Sequence, residues 1–244
     1  MIFRNITSKI KEFSQKFYII AVTGPRQSGK TTLVRNIFSD YTYVNLEDIE
    51  KRNFAKEDPK GFFKIYNSKI IIDEIQYVPE LFSYLQLYAD EQQIAGNYII
   101  TGSQNFQLVE KISQSLAGRV AIFNLLPFSY AELKETEFNF ENYEEYIYKG
   151  FYPAIYDRKI EPADWYSNYV QTYLERDIRQ LINLGDIYSF HQFLKICANN
   201  IGQVVNFSSI GAQIGVSYNT IKKWLSILEA SFIIYLLPPF YTNL

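Results

Sequence analysis

The stretch "GPRQSGKTT", Gly24 to Thr32, follows the apolar run "FYIIAVT" and opens the helix-like segment "KTTLVRNIF". Gly24-Pro25-Arg26-Gln27-Ser28-Gly29-Lys30-Thr31, followed by Thr32, satisfies the pattern G-x-x-x-x-G-K-[ST]. The pattern constrains the fold because it works in one setting. A buried strand must deliver the loop, and two glycines must let the backbone curl until its N–H groups converge on phosphate oxygens. A helix must then begin near the lysine and aim its positive end at the same point. Strand, loop and helix in that order open an α/β domain. A surface turn containing glycine and lysine would need neither this setting nor a partner downstream.

"IIIDE", Ile70 to Glu74, supplies that partner, two carboxylates at the end of an all-isoleucine run. Lys30 is expected to act as a point charge on the β and γ phosphates, and the Thr31 hydroxyl to ligate a magnesium ion bridging them. Asp73 would hold that ion through water, and Glu74 would orient the attacking water or take its proton. An acid aimed at water suits a hydrolase better than a small-molecule kinase. "ITGS", Ile100 to Ser103, ends another buried run in small polar groups. Thr101 or Ser103 could reach the γ phosphate or the water, because strand carboxyl ends face the ligand in a parallel sheet; a polar strand terminus making a turn explains them equally well. Arg119, in "SLAGRV", could stabilise transferred charge in its own chain or a neighbour's, although most arginines in such places make salt bridges. No base-reading N-K-x-D is found, which favours adenine over guanine.

Between Phe17 and Leu126, β-like runs ("FYIIAVT", "YTYVNLE", "KIIIDE", "NYIITGS", "RVAIFNLL") alternate with helix-like stretches such as Pro79 to Gln93, with Leu81, Leu85 and Tyr88 at helical spacing. Mostly continuous apolar runs are what strands buried on both faces of a parallel sheet require. The expected fold is α/β, a three-layer core with a mainly parallel sheet over residues 1–135. A helical connector over 136–185 should follow, including a long helix from Ala163 to Leu184 stopped by Gly185, and then a domain over 186–244. There "SSIGAQIG", a turn at Gly215 and Val216, and "YNTIKKWLSILEA" capped by Ser217 read as a helix-turn-helix, with strand-like "FIIYLL" as the wing of a winged helix. Ile221, Trp224, Leu225 and Leu228 form the inward face of the second helix. Tyr218, Asn219, Lys222 and Lys223 form a groove-facing set that would suit DNA, but acids and bases balance from Pro162 onward, so packing or protein contact is at least as good a reading.

With 48% hydrophobic residues the chain can bury a sizeable core, and a net charge of -2 gives no global attraction to nucleic acid or anionic membrane. One cysteine, Cys197, excludes an internal disulfide, and one histidine, His191, cannot by itself build a metal site. "MIFRNITSKIKEFSQK" reads as a short amphipathic helix with Ile6, Ile10 and Phe13 inward rather than a signal peptide, and "FIIYLLPPFY" is too short and proline-broken to span a membrane. A cytoplasmic protein without membrane contact is expected.

Taken together, "GPRQSGKTT", "IIIDEIQ", "ITGSQNF", "SLAGRV", "LLPFSYAEL" and "YVQTYLERDIRQL" resemble a large group of prokaryotic AAA-type P-loop ATPases that carry a winged helix after the ATPase core. The similarity covers nearly the whole chain, with looser motifs after Gly150. It implies Mg-ATP binding over Gly24 to Thr32, an acidic motif at Asp73 and Glu74, a sensor position near Ser103, and Arg119 as the group's glycine-arginine position. It also implies a further nuclease-like domain beyond Leu244, which this sequence does not include; no activity of such a domain is assigned to this chain. The partners it implies are ATP and ADP, with self-association and DNA contact left open. Three readings follow: a Mg-dependent ATPase, an ATP-sensing DNA-binding or interaction module with little turnover, and an inactive fragment that still binds nucleotide.

Overall fold

Continuous apolar runs and alternating ones sort themselves within a single sheet. The computed structural model describes residues 2–103, 112, 114–174 and 187–240, and these form a five-stranded parallel sheet in the order β2-β3-β4-β1-β5. The strands are β1 (Ile19–Gly24), β2 (Thr42–Asn45), β3 (Ile70–Asp73), β4 (Tyr98–Ser103) and β5 (Val120–Asn124). The three central strands are buried at every residue, whereas edge strands β2 and β5 alternate between buried and exposed positions. A central strand touches a helical layer on both faces and an edge strand does not, which is why β3 runs through three consecutive buried isoleucines while β5 leaves Ile122 exposed.

One face of the sheet packs on α1 (Thr7–Phe13) and α2 (Lys30–Ile37), through Ile20, Val22, Ile71 and Ile99 against Ile10, Leu33 and Val34. The other face carries Ile19, Ala21, Ile70, Ile72 and Ile100 against α4 (Pro59–Ile65) and α5 (Leu81–Gln92), with Phe62, Phe63, Leu81, Phe82 and Leu85 as the inward side chains. The α3 helix (Ile49–Glu57) adds Ala55 to this face. Asp48 caps α3 by accepting from the Glu50 and Lys51 N–H groups, and Asp58 caps α4, whose first residue is Pro59. Three layers with a mainly parallel sheet are the architecture expected from the β–α alternation.

The first compact unit runs from the N-terminus to Pro162, so α6 (Tyr130–Leu133), α7 (Tyr143–Lys149) and α8 (Pro153–Arg158) belong to it. The expected long helix begins as α9 (Pro162–Tyr169) and widens into a π-helical turn over Val170–Leu174. Its continuation to Leu184 and its stop at Gly185 lie outside the described residues, as do Gln104 to Phe106 of "ITGSQNF" and the "ERDIRQL" portion of the later motif.

The second unit, from Ala163 onward, has a core of its own. Phe190 and Phe193 of α10 (Ile187–Asn199) meet Ile210 of α11 (Phe207–Ile214) and Ile221, Trp224, Leu225 and Leu228 of α12 (Tyr218–Ala230). Ser217 caps α12 by accepting from the Thr220 N–H at 3.1 Å. Burial pushes the Cys197 thiol up to about 11, so it sits in this unit protonated, as a small apolar residue. The wing is a correction: among the described residues, 232–237 form no strand. Phe232 adopts φ 57° and closes α12, its N–H donating to the Glu229 carbonyl at 3.0 Å while the Ile233 N–H donates to the Leu228 carbonyl at 2.9 Å. The backbone at the start of "FIIYLL" is thus committed to the helix end, and β-like composition without a partner strand does not make a ladder.

Candidate functional site

The phosphate-loop motif lies between β1 and α2, at the carboxyl edge of the sheet. Gly24 has φ 147°, and a Cβ there would lie 2.2 Å from the Leu125 carbonyl oxygen, so only glycine lets β1 turn out beside the chain leaving β5. Gly29, at φ 92°, begins α2, whose first-turn N–H groups have no intrahelical acceptor and face the loop. Gln27 is also left-handed, at φ 60°. The Lys30 side chain is buried and doubles back under the loop, its Nζ donating to the Gly24 carbonyl at 3.1 Å and the Pro25 carbonyl at 2.8 Å. These two bonds satisfy donors that burial would otherwise leave without a partner.

Asp73, at the end of β3 and 3% exposed, is held by three hydroxyls from three elements. Thr31 of α2 donates to Oδ2 at 2.8 Å, Tyr43 of β2 donates to the same oxygen at 2.6 Å, and Thr101 of β4 donates to Oδ1. Burial first, then the bond to Asp73, holds the Tyr43 phenol above its ordinary range, so it remains a donor. The guanidinium of Arg35 lies over the Tyr43 ring, 4.7 Å from its centroid. Hydroxyl and carboxylate oxygens 2.8 Å apart, on the first turn of α2 and the tip of β3, are hard donors that fit a magnesium ion.

Next along the chain, Glu74 takes a left-handed backbone at φ 58°, uncommon for a residue with a side chain. Its N–H donates to the Thr101 hydroxyl at 3.4 Å. A 3₁₀ turn over Ile75–Tyr77 follows, and within it the Gln76 amide Nε2 donates to Glu74 Oε2 and, at 3.1 Å, to the Ser103 hydroxyl. Ser103 Oγ stands 3.4 Å from the same Glu74 oxygen. The parallel register pairs Ser103 with Gly24, which puts the end of β4 beside the start of the loop.

The structure therefore brings together Gly24 to Thr32, Asp73, Glu74 and Ser103. It does not bring Arg119 to them. Arg119 precedes β5, its carbonyl accepting from the Ile19 N–H at the opposite end of β1, and its guanidinium grips both oxygens of Asp90 at 2.6 and 2.7 Å. In its own chain Arg119 is an ion-pair residue at the amino edge, which leaves only a neighbour's site for the role expected of it. Tyr218, Asn219, Lys222 and Lys223 are exposed on α12 within the second unit.

Three residues of the site carried no sequence signal that singled them out. Tyr43 and Gln76 are polar groups within ordinary secondary structure. The third is Arg4, ahead of α1 and 5% exposed. Its Nη1 donates to the Ser28 carbonyl at 3.0 Å, and Nη2 to the Leu126 carbonyl at 2.5 Å and the Pro127 carbonyl at 3.2 Å. Its Nε pairs with Glu132 at 3.3 Å. The phosphate loop is thereby pinned to the segment leaving β5.

Known proteins place these features in context. A family model described as an AAA domain matches residues 16–134, and a second, described as a domain of unknown function, matches residues 140–244. Two curated relatives, uncharacterized proteins of Mycobacterium bovis and Mycobacterium tuberculosis, are each 26% identical over 245 residues, covering 99% of this chain and 54% of their own length. The chain thus spans about half the length of the curated relatives it matches. Among solved structures, a Walker-type ATPase of Pyrococcus abyssi superposes with a TM-score of 0.58 at 15% identity, covering 95% of this chain and 90% of that one. The likeness is one of fold. Among the described residues, no helix is long and apolar enough to cross a membrane.

Proposed function

We propose that this chain binds Mg-ATP over Gly24–Thr32 and hydrolyses it, with Glu74 as the base; the match of residues 16–134 to an AAA-domain family model and the fold shared with a Walker-type ATPase support this reading. The carrying observation is the juxtaposition at the carboxyl edge: Thr31 on Asp73 at 2.8 Å, and beside them Glu74 and Ser103 at the ends of adjacent strands. The loop N–H groups and Lys30 would receive the phosphates, Lys30 exchanging its carbonyl partners for phosphate oxygens of greater charge. Thr31 and, through water, Asp73 would hold magnesium, which supplies neutralisation of charge on the β and γ phosphates.

Glu74 takes one proton from water as the water oxygen bonds to the γ phosphorus and the bond to the β-phosphate oxygen breaks, giving ADP and inorganic phosphate. Tyr43 and Thr101, bonded to different oxygens of Asp73, would keep that carboxylate fixed during this step. Ser103, beside Glu74, would contact the γ phosphate.

ATP turnover by the purified chain, beside its Glu74→Gln and Lys30→Ala forms, tests the proposal. Glu74→Gln should bind labelled ATP as the wild type does and turn it over about 10²–10⁴-fold more slowly. Lys30→Ala should lose binding itself. Turnover at an unchanged rate in Glu74→Gln would remove that residue from the mechanism.

A further inference from the structure

We propose that Gln76 is a positioning residue for Glu74, the device that presents one defined carboxylate oxygen to the attacking water; this rests on the hydrolysis reading above. Gln76 belongs to the 3₁₀ turn that directly follows the strained Glu74. The turn is closed by the Tyr77 N–H on the Glu74 carbonyl at 3.1 Å and the Val78 N–H on the Ile75 carbonyl at 3.0 Å, and anchored by the Ile75 side chain, 1% exposed. Its backbone is therefore fixed, and the Gln76 amide is carried back onto Glu74.

Three polar groups then close on one another. Gln76 Nε2 donates to Glu74 Oε2 and to Ser103 Oγ at 3.1 Å, and Ser103 Oγ lies 3.4 Å from Glu74 Oε2. Two neighbours therefore occupy Oε2, and Oε1 is the oxygen left to take a proton. The amide has been oriented at a cost. Gln76 Oε1 is buried and accepts no hydrogen bond among the described residues, an arrangement that native proteins rarely tolerate. Exchanging the amide oxygen and nitrogen would set an acceptor against the Glu74 carboxylate, so the carboxylate dictates which way the amide faces. A left-handed glutamate, an orphaned buried acceptor and a closed contact between this turn and Ser103 of β4 are the marks of a site held for function rather than for stability.

The experiment compares steady-state ATP turnover, labelled-ATP affinity and melting temperature for the wild type, Gln76→Leu, Gln76→Glu, Glu74→Gln and the double variant Glu74→Gln/Gln76→Leu. Gln76→Leu keeps the volume but removes the donor, and Gln76→Glu keeps the length but sets charge against charge. Both should lose about tenfold to a hundredfold in kcat with ATP affinity within about twofold of the wild type, since misplacing a base by an ångström costs rate rather than binding. In the double variant the Gln76 change should add less than about twofold, because its effect passes through Glu74.

Unchanged kcat in both single variants overturns the proposal. So does a loss of kcat matched by a loss of affinity, or a full additional loss in the double variant. If Gln76→Leu does not fold, Gln76→Glu decides by the same criteria. Turnover that depends on Glu74 but not on Gln76 overturns the positioning role and leaves the hydrolysis reading standing; a wild-type chain with no turnover overturns both.

Discussion

Two arginine–carboxylate pairs sit at opposite edges of one sheet, and they show how little residue type says about role. Arg4 and Glu132 meet at 3.3 Å with both side chains 6% exposed, beneath the phosphate loop. Arg119 and Asp90 meet at 2.6 Å with side chains 28% and 45% exposed, at the end where the strands begin. By distance the second pair is the better one. By consequence it is the lesser, since water and salt compete with an exposed pair, while a buried charge stripped of its partner has nowhere to turn. Burial lowers the affinity of the Arg4 guanidinium for its proton, and the neighbouring Glu132 charge pushes back. Arg4 also spans two segments, holding Ser28 of the loop and Leu126 and Pro127 beyond β5, and Glu132 accepts from the backbone of Asn5 and Ser129.

The sharpest way to break that comparison is Arg4→Met. It leaves Glu132 buried with backbone donors alone, so unfolding stability should fall by about 3–5 kcal/mol, and the melting temperature by roughly 6–20 °C for a chain of this size. ATP affinity should weaken as well, because the Ser28 carbonyl loses its anchor. Replacing both partners, Arg4→Met with Glu132→Leu, should recover part of the stability and none of the affinity. A melting temperature within about 2 °C of the wild type in Arg4→Met would erase the distinction between the two pairs.

A smaller effect is expected from Thr101→Val, which swaps the hydroxyl on Asp73 for a methyl group of the same shape. Asp73 keeps its bonds from Thr31 and Tyr43 on the other oxygen, but Oδ1 loses the donor given by β4. Stability should drop by about 1–3 kcal/mol, the cost of leaving a buried acceptor short of a partner. Urea denaturation with an unchanged slope would read this directly. No change in the midpoint would mean that water replaces the hydroxyl and that Asp73 is less enclosed than its 3% exposure implies.

What could be read from the sequence was what is local. The loop and α2 are contiguous, so "GPRQSGKTT" carries its own geometry, and "IIIDE" announces both a buried strand and its charged tip. The partners of Asp73 are not contiguous. Tyr43 and Thr101 arrive because β2 and β4 flank β3 in parallel, with Asn45 level with Asp73 and Ile100 level with Ile72, a sheet order that no single window of sequence contains. Arg4 stands in the sequence only as part of an amphipathic start, since its acceptors lie in other segments, Ser28 24 positions away and Leu126, Pro127 and Glu132 more than 120. The wing failed for the complementary reason. "FIIYLL" has strand composition, but Phe232 and Ile233 are engaged in closing α12, and composition does not supply a neighbour.

Arg119→Ala should change least. The pair with Asp90 is solvent-exposed; the bond from Arg119 depresses the Asp90 carboxyl below its ordinary value, and the same pair raises Arg119. Such a pair is screened by salt, so its loss should move the melting temperature by no more than about 2 °C, and by less still at 1 M salt, where the Debye length falls to about 3 Å. ATP affinity should not change, because the Arg119 carbonyl accepts from the Ile19 N–H at the start of β1 and the loop begins at the other end of that strand. Turnover is the informative readout. If it also stays the same at every protein concentration, Arg119 is a surface ion pair and nothing more. If turnover collapses at unchanged melting temperature and affinity, and is regained by mixing Arg119→Ala with Glu74→Gln chains, then the arginine acts on the site of a second copy. In that case the amino edge is functional, and burial separates the two arginines by their stability contribution but not by their importance to catalysis.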